Sequence, residues 1–386
     1  MQRIKEKLAF RTTTLFPDLI DFHNPYFTTQ LITYIGNKRS LLPFINGGIE
    51  RVKKELGKRE LISLDGFSGS GAVARLLKYH SRELWVNDTE DYCEILSKCY
   101  LANKSGVDKD YVASRIAWLN ANKFRRSPIV GFIEKNYAPQ DDNNVKPGER
   151  VFYTNRNAKI LDNIRSLIHK TIPENATHFF LGPLIVKASI HANTSGVFKG
   201  FHKNNGIGHF GGRGEDALER IKGEIILNLP IFSDVECDVR VRKEDINELV
   251  KERKLPEFDL VYYDPPYNQH PYGSNYFMLN ILVREKNPKI QDGVSGIVKD
   301  WKRSEYNKRQ QAEHAMDELV GNTPAKYILV SYNNEGIIPI GTLRKILGKY
   351  GEVDLVKHKY NTYRGSRNLK NRNIMVDELL WILRRA

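Results

Sequence analysis

Disulfide chemistry, membrane spanning and phosphate-loop catalysis are the first roles for which this sequence lacks the residues. The 386-residue chain has only three cysteines, Cys93, Cys99 and Cys237. They form no CxxC pair and have no zinc-ligand spacing, and their odd number suits a reducing compartment, so all three read as packing residues. No apolar run approaches the ~18 residues of a spanning helix, and the opening MQRIKEKLAFRTTTLF lacks the apolar stretch of a signal peptide. A cytoplasmic protein with no membrane role is expected. Internal repeats and low-complexity linkers are also missing. Acidic residues are in deficit, 46 Asp and Glu against 60 Lys and Arg, which gives a net charge of +14 and a pI near 9.4. That excess favours a polyanionic partner, although solvated basic faces on an ordinary soluble protein produce the same composition.

Short apolar runs that end in acids or turn residues, each followed by a helical pattern, mark an α/β fold with a mostly parallel sheet. ELISLDGF (60–67) leads into GAVARLLKYH, and ELWVND (83–88) leads into TEDYCEILSKCYLANK. The alternation stops at about residue 105 and resumes near 232 with DVECDVRV (234–241), KEDINELVKERK, FDLVYYD, YILVSYNN, TLRKILGKYG, EVDLVKHKY and IMVDELLWILRR. A mostly parallel sheet of about seven strands follows. The chain divides into 1–104, an inserted and largely helical 105–231, and 232–386. The insertion carries helical stretches such as NAKILDNIRSLIHK and is expected to fold against the core.

Three places carry chemistry. Asp65-Gly66-Phe67-Ser68-Gly69-Ser70-Gly71 runs from a strand through a glycine-rich turn into a helix, which lets backbone approach a nucleoside closely. No Lys-Ser or Lys-Thr follows, as a phosphate loop would need. Asp88 comes 17 positions after Gly71 at the end of the next strand, where a carboxylate can accept from both ribose hydroxyls; alone, it reads equally as a helix N-cap. The third place is Asp264-Pro265-Pro266-Tyr267, directly after the apolar Leu260–Tyr263. Consecutive prolines stop a strand and remove two N–H donors. A carboxylate beside a carbonyl can accept both hydrogens of an amino group, and the tyrosine offers a flat face to a base.

With these residues in this order, preceded by Tyr34-Ile35-Gly36-Asn37-Lys38-Arg39 and followed by SYNNEG and MVDELLWI, the chain resembles the N6-adenine DNA methyltransferases of the deoxyadenosine-methylase (D12) type, including modification enzymes of type II restriction systems. The resemblance implies a seven-stranded, Rossmann-like methyltransferase sheet with an antiparallel late strand, S-adenosylmethionine as cofactor and double-stranded DNA as partner, with any cognate endonuclease acting separately and the enzyme a monomer on DNA. It implies that Tyr34, Gly36, Asn37 and Lys38 close over the methionine part of the cofactor, with Lys38 near its carboxylate. It further implies that Asp65, Phe67, Gly69 and Gly71 line the cofactor turn, Asp88 holds the ribose and Asp245 reaches the adenine amine. Glu244 stands beside Asp245, and either acid could instead be solvated or cap a helix. Catalysis falls to Asp264, Pro265, Pro266 and Tyr267, acting on a base flipped from the duplex. The chemistry asks only that Asp264 be ionised, for which an ordinary or depressed pKa suffices.

For DNA, VKHKYNTYRGSRNLKNRN (356–373) reads as a phosphate-gripping hairpin with Arg364, Arg367 and Lys370, or as a solvated loop. In the insertion, Asn193, Ser195, Lys199 and Lys203 are candidates for base edges or phosphates, as are Asn275 and Tyr276 after the tetrad. No metal is expected at His191, His202 or His209. Two alternatives stay open: an enzyme acting on RNA or another exocyclic amine, and a nucleic-acid-binding protein with a degenerate cofactor site.

Overall fold

Strands whose residues are apolar at every position become the middle of a parallel sheet, because helices cover both of its faces. The computed structural model describes residues 20–124, 131–212, 214–361 and 375–386. Among the described residues, one sheet contains β1 (Leu61–Asp65), β2 (Ser81–Asn87), β3 (Asp238–Arg242), β4 (Phe258–Tyr263), β5 (Ala325–Asn333), β6 (Gly351–Asn361) and β7 (Met375–Arg385). Their spatial order is β3-β2-β1-β4-β5-β7-β6. β4, buried at all six positions, pairs in parallel with β1 and β5, while β7 runs antiparallel between β5 and β6. This is the seven-stranded, mostly parallel α/β sheet with an antiparallel late strand expected from the sequence. The strand order reverses between β1 and β4, so a crevice opens at their carboxyl ends. Asp65 closes β1 opposite Tyr262, two positions before Asp264.

The third strand starts later than its sequence pattern predicts, at Asp238 and not at 234. Asn103 takes the Cys237 N–H at 3.1 Å and donates to the Cys237 carbonyl at 2.9 Å, so the preceding residues are tied to a loop and cannot pair with β2.

Helices α1 (Leu42–Leu56) and α2 (Ala72–His80) cover one face of the sheet. The chain then forms α3 (Asp91–Tyr100) and, within the insertion, α4 (Lys109–Asn122), α5 (Asn155–Thr171) and α6 (His178–Ile190). Asp108 and Thr154 cap α4 and α5 by accepting the N–H of the third residue on. α6 is apolar all round and is buried among its neighbours, in keeping with that pattern. After β4 come α7 (Phe277–Val283), α8 (Ala312–Asn322) and α9 (Ile340–Gly348); α8 and α9 cover the second face of the sheet. Cys93 and Leu96 of α3, Phe180 and Leu184 of α6, and Phe277 and Leu282 of α7 share one core. The 105–231 segment therefore shares a core with the rest of the chain. Its tip is a hairpin in which Asn205 and Gly206, at φ 48° and 83°, make the two-residue left-handed turn that matches strand twist.

Candidate active site

The glycine-rich turn is shaped by backbone bonds from Gly66 N to Tyr262 O (3.0 Å), Ser68 N to Asn87 O (3.0 Å) and Gly71 N to Ser68 O (2.7 Å). Gly69 must be glycine: its φ is 50°, and a Cβ there would lie 2.7 Å from the Tyr34 ring. Asp88 braces the turn, accepting from Gly69 N at 2.8 Å and Glu90 N at 3.1 Å. Gly71 stands behind, at the start of α2. Asp65, Phe67, Gly69 and Asp88 line a cleft that runs to Asp264 and Pro266.

Phe67 forms one end of this cleft, with Tyr306 edge-on at 5.3 Å and Asp245 and Ile246 beside it. Tyr306 Oη donates to Asn247 Oδ1 at 2.7 Å, and Asn247 N donates to Asp245 Oδ1 at 2.9 Å. Both acids left open by the sequence line the cleft; Glu244 is paired with Arg242, and Asp245 caps a short helix. Glu90 also lines the cleft; burial pushes its carboxyl up to about 7, against the pull of Asn280 Nδ2 at 2.6 Å.

The Tyr34–Lys38 loop is held by two tyrosines. Tyr34 stacks against both Tyr272 and Tyr276, its centroid 4.9 Å from each, and those two rings lie 6.0 Å from one another. Ile35 N donates to Tyr276 Oη at 2.8 Å and Tyr272 Oη donates to Ile35 O at 3.1 Å. Gly36, at φ 75°, and Asn37, whose Oδ1 takes the Arg39 N–H at 2.8 Å, turn the chain so that Lys38 points inward.

Lys38 Nζ lies 2.9 Å from Asp264 Oδ1 and 3.3 Å from Glu378 Oε1, with the lysine and Glu378 side chains 5% and 1% exposed. Burial alone would lower the lysine pKa, but the two carboxylates outweigh it and hold the ammonium firmly protonated. The Lys38–Asp264 contact is an ion pair, and among the described residues no hydrogen bond reaches Asp264 Oδ1. Burial pushes Asp264 up to about 6, with Lys38 pulling down and Glu378 pushing up. The carboxyl is thus neither ordinary nor depressed, yet it is mostly ionised at neutral pH. Tyr267 is held in place by Ile337 N on its carbonyl (3.0 Å) and by Tyr332, edge-on at 6.3 Å.

Three expected DNA-facing side chains turn inward, which corrects their reading. Asn193 is fully buried: its Nδ2 donates to Val151 O (2.7 Å) and His209 O (2.9 Å), and its Oδ1 accepts from Gly211 N (3.2 Å). Asn275 is buried, with its carbonyl taking the Phe198 N–H at 2.7 Å, and Tyr276 is the 1%-exposed clasp on Tyr34. Ser195 and Lys203 are exposed and Lys199 half-buried. Arg364, Arg367 and Lys370 lie outside the described residues. Glu90, Tyr306 and Glu378 belong to the site and were not singled out from the sequence. Only Glu378 left a signal: an acid in phase with Leu380 and Ile382, on the inward row of a strand.

Comparison with known proteins agrees with this geometry. The family model for D12 class N6 adenine-specific DNA methyltransferases matches residues 34–346. The type II methyltransferase M.NlaIII of Neisseria lactamica is 29% identical over 351 residues, which cover 89% of this chain and 95% of that protein. The modification methylase StsI of Streptococcus sanguinis is 31% identical over 91% of this chain, which spans 52% of that longer protein. The type II methyltransferase M.CviAII of Paramecium bursaria Chlorella virus 1 is 26% identical, with 86% and 93% of the two chains aligned. Since the family match takes in the clasped loop, the glycine-rich turn and the β4 tip alike, the chain belongs to the D12 class N6 adenine-specific DNA methyltransferases and is an adenine-specific DNA methyltransferase.

Proposed function

We propose that the protein transfers a methyl group from S-adenosylmethionine to N6 of a flipped adenine at a specific site in double-stranded DNA, as the modification enzyme of a type II restriction-modification system. It acts in the cytoplasm as a monomer on its duplex, with any cognate endonuclease a separate protein. The observation that carries this reading is Asp264, a carboxylate beside a proline carbonyl at the tip of β4, pushed up by burial and set against the Lys38 ammonium at 2.9 Å.

The cleft fits the donor. Asp65 is 1% exposed and no described residue donates a hydrogen bond to its carboxylate, which leaves it poised for the ammonium of an amino acid moiety. Phe67, Ile246 and Tyr306 form a slot for a purine with Asp245 on its lip, and Asp88 and Glu90 stand between for ribose hydroxyls. Tyr34, Gly36 and Asn37 close the methionine end. When bound, the donor supplies an electrophilic methyl on a sulfonium that leaves as a neutral thioether. Lys38 is committed to Asp264 and Glu378, so its part is to keep Asp264 ionised and not to hold the donor's carboxylate.

The lone pair on adenine N6 is delocalised into the ring. Hydrogen bonds from N6 to Asp264 and to the Pro265 carbonyl draw the nitrogen toward a tetrahedral shape and localise that pair; as positive charge develops the Asp264 carboxylate stabilises it, and the proton that the methylated nitrogen sheds passes to Asp264 and on to solvent. Pro266 fixes the turn, and stacking on Tyr267 offsets part of the few kcal/mol of unstacking the base. Residues 105–231 serve as the target-recognition domain, with Ser195, Lys199 and Lys203 toward the duplex, and Arg364, Arg367 and Lys370 grip phosphates.

The test is transfer of labelled methyl from S-adenosylmethionine to duplex DNA and, in parallel, to structured RNA. Label in adenine N6 of the duplex at one sequence context supports the proposal; label confined to RNA overturns it, as does an absence of heat when the cofactor is titrated calorimetrically.

A further inference from the structure

Glu378 is an acid where the fold calls for an apolar residue. Along β7, Leu380 and Ile382 of the same row pack into the core beneath α1, and Leu379, Trp381 and Leu383 pack into the core on the other face. Glu378 sits on that inward row, 1% exposed, opposite Asn333 of β5. A buried carboxylate is retained only where it is paired. Here the partners are Lys38 Nζ at 3.3 Å and the hydroxyl of Ser331, which donates to Glu378 Oε1.

We propose that Glu378 is a positioning residue for methyl transfer: from a rigid strand it holds Lys38 against Asp264 and shares the lysine's charge, so that Asp264 meets the adenine amine in a fixed orientation and as an acceptor not used up by the lysine. This inference rests on the proposed methyl-transfer role of Asp264.

Two features of the cluster support it. The ammonium is ion-paired with Asp264 Oδ1 at 2.9 Å and Glu378 Oε1 at 3.3 Å, and it donates to Gly36 O at 3.4 Å. A lysine held only by Asp264 swings with that carboxylate on a flexible four-carbon stem. Anchored behind by β7 and Ser331, it becomes a fixed point against which Asp264 is set. The second feature is the count of charges, two carboxylates to one ammonium. Were Glu378 neutral, Lys38 and Asp264 would form a closed pair, and the carboxylate's pull would be spent on lysine. With Glu378 charged, Lys38 is divided between the two acids and Asp264 remains a strong acceptor. Around the cluster stand His358, paired across the strands with Glu378 and stacked on Phe44, the neutral phenols of Tyr262, Tyr267 and Tyr272, and Asp65, a carboxyl that burial drives toward its neutral form.

The experiment compares the full-length protein with E378Q, which keeps size and hydrogen bonding but loses the charge, and with S331A, which removes the anchor behind Glu378. Methyl transfer is followed in single turnovers across pH, donor and duplex affinities by titration, and the Asp264 carboxyl by NMR in protein labelled at aspartate. E378Q is expected to lower the transfer rate by about 10- to 100-fold, the scale of a misplaced reacting group, with donor and duplex affinities little changed. Its Asp264 titration and the acid limb of its rate profile should both move to lower pH, because the like charge is gone. S331A should lower the rate less, and it keeps the test intact if E378Q does not fold. A wild-type rate with an unmoved Asp264 titration overturns the inference, as does a loss lying wholly in donor affinity. If the wild-type protein itself transfers no methyl to adenine, the functional proposal fails instead, and the NMR shift still decides whether Glu378 tunes Asp264.

Discussion

Replacing Asp264 with alanine should separate the chemistry from the fold, because of what surrounds it. Breaking a buried ion pair from one side ordinarily destabilises by ~3–5 kcal/mol, the penalty of an orphaned charge. Here Lys38 keeps Glu378 at 3.3 Å, so no charge is stranded. The substitution also removes a carboxylate that burial and the neighbouring Glu378 already press toward its neutral form. The melting temperature should therefore stay within roughly 2 °C of the parent or rise, since ~1 kcal/mol moves a chain of this size by about that much. Transfer should fall by at least about 10²- to 10³-fold, as when one preorganised hydrogen-bonding group for the transition state is lost. Single-turnover methylation, thermal unfolding and duplex titration on one preparation give all three readouts. Near-normal turnover would refute the mechanism. A melting temperature lowered by the amount of an orphaned charge would refute the three-membered cluster.

The remaining expectations follow from other parts of the molecule. With Asp264 pushed up to about 6, its proton is lost as pH rises through that value, so the transfer rate should climb on an acid limb centred near 6 and then flatten; a flat rate from pH 5 to 7, values chosen about one unit either side, would contradict it. Tyr306→Ala removes the edge-on partner of Phe67 and should weaken donor binding by about tenfold, the sum of a lost aromatic pair and lost burial, in a calorimetric titration. Neutralising Arg364, Arg367 and Lys370 together should flatten the slope of log affinity against log salt by up to ~2.7, at ~0.9 per phosphate contact; an unchanged slope assigns that segment to solvent. Asn193→Ala should act on stability, not on DNA contact: it leaves two carbonyls and one N–H without their partner, for a loss of roughly 2–4 kcal/mol in denaturant unfolding.

What could be read from the sequence was whatever is encoded locally. FDLVYY followed by two prolines can only be a buried strand that ends abruptly, and the structure buries all six residues and leaves Asp264 at the tip. Tyr306 and Glu90 had no such signature: each is one polar residue in a charged stretch, brought to the cleft by packing across long separations. Glu378 was legible in principle, because a period-two count puts it on the row of Leu380 and Ile382. Asn193 and Asn275 were misassigned for a related reason. Polar residues in a glycine-rich stretch resemble a solvated loop, and only the partners at Val151, His209, Gly211 and Phe198 show that the loop closes on itself.

Those inward-turned residues explain how a site assembled from remote segments keeps its geometry. The insertion's loop is joined to the segment after the tetrad through Phe198 N on Asn275 O at 2.7 Å. One residue on, Tyr276 Oη takes the Ile35 N–H, and Tyr34 lies so close over the glycine-rich turn that a side chain on Gly69 would strike it. The 105–231 segment, the loop after the tetrad and the glycine-rich turn are thus linked through hydrogen bonds on main-chain groups and through stacked rings, none of which has the freedom of a long solvent-exposed side chain. Positioning a reacting group to within about half an ångström needs supports whose own rotamers are locked. A surface residue at 275 or 276 could touch DNA, but it could not supply that rigidity, whereas a buried one fixes the loop that carries Tyr267 and the loop that carries Lys38 in the same frame.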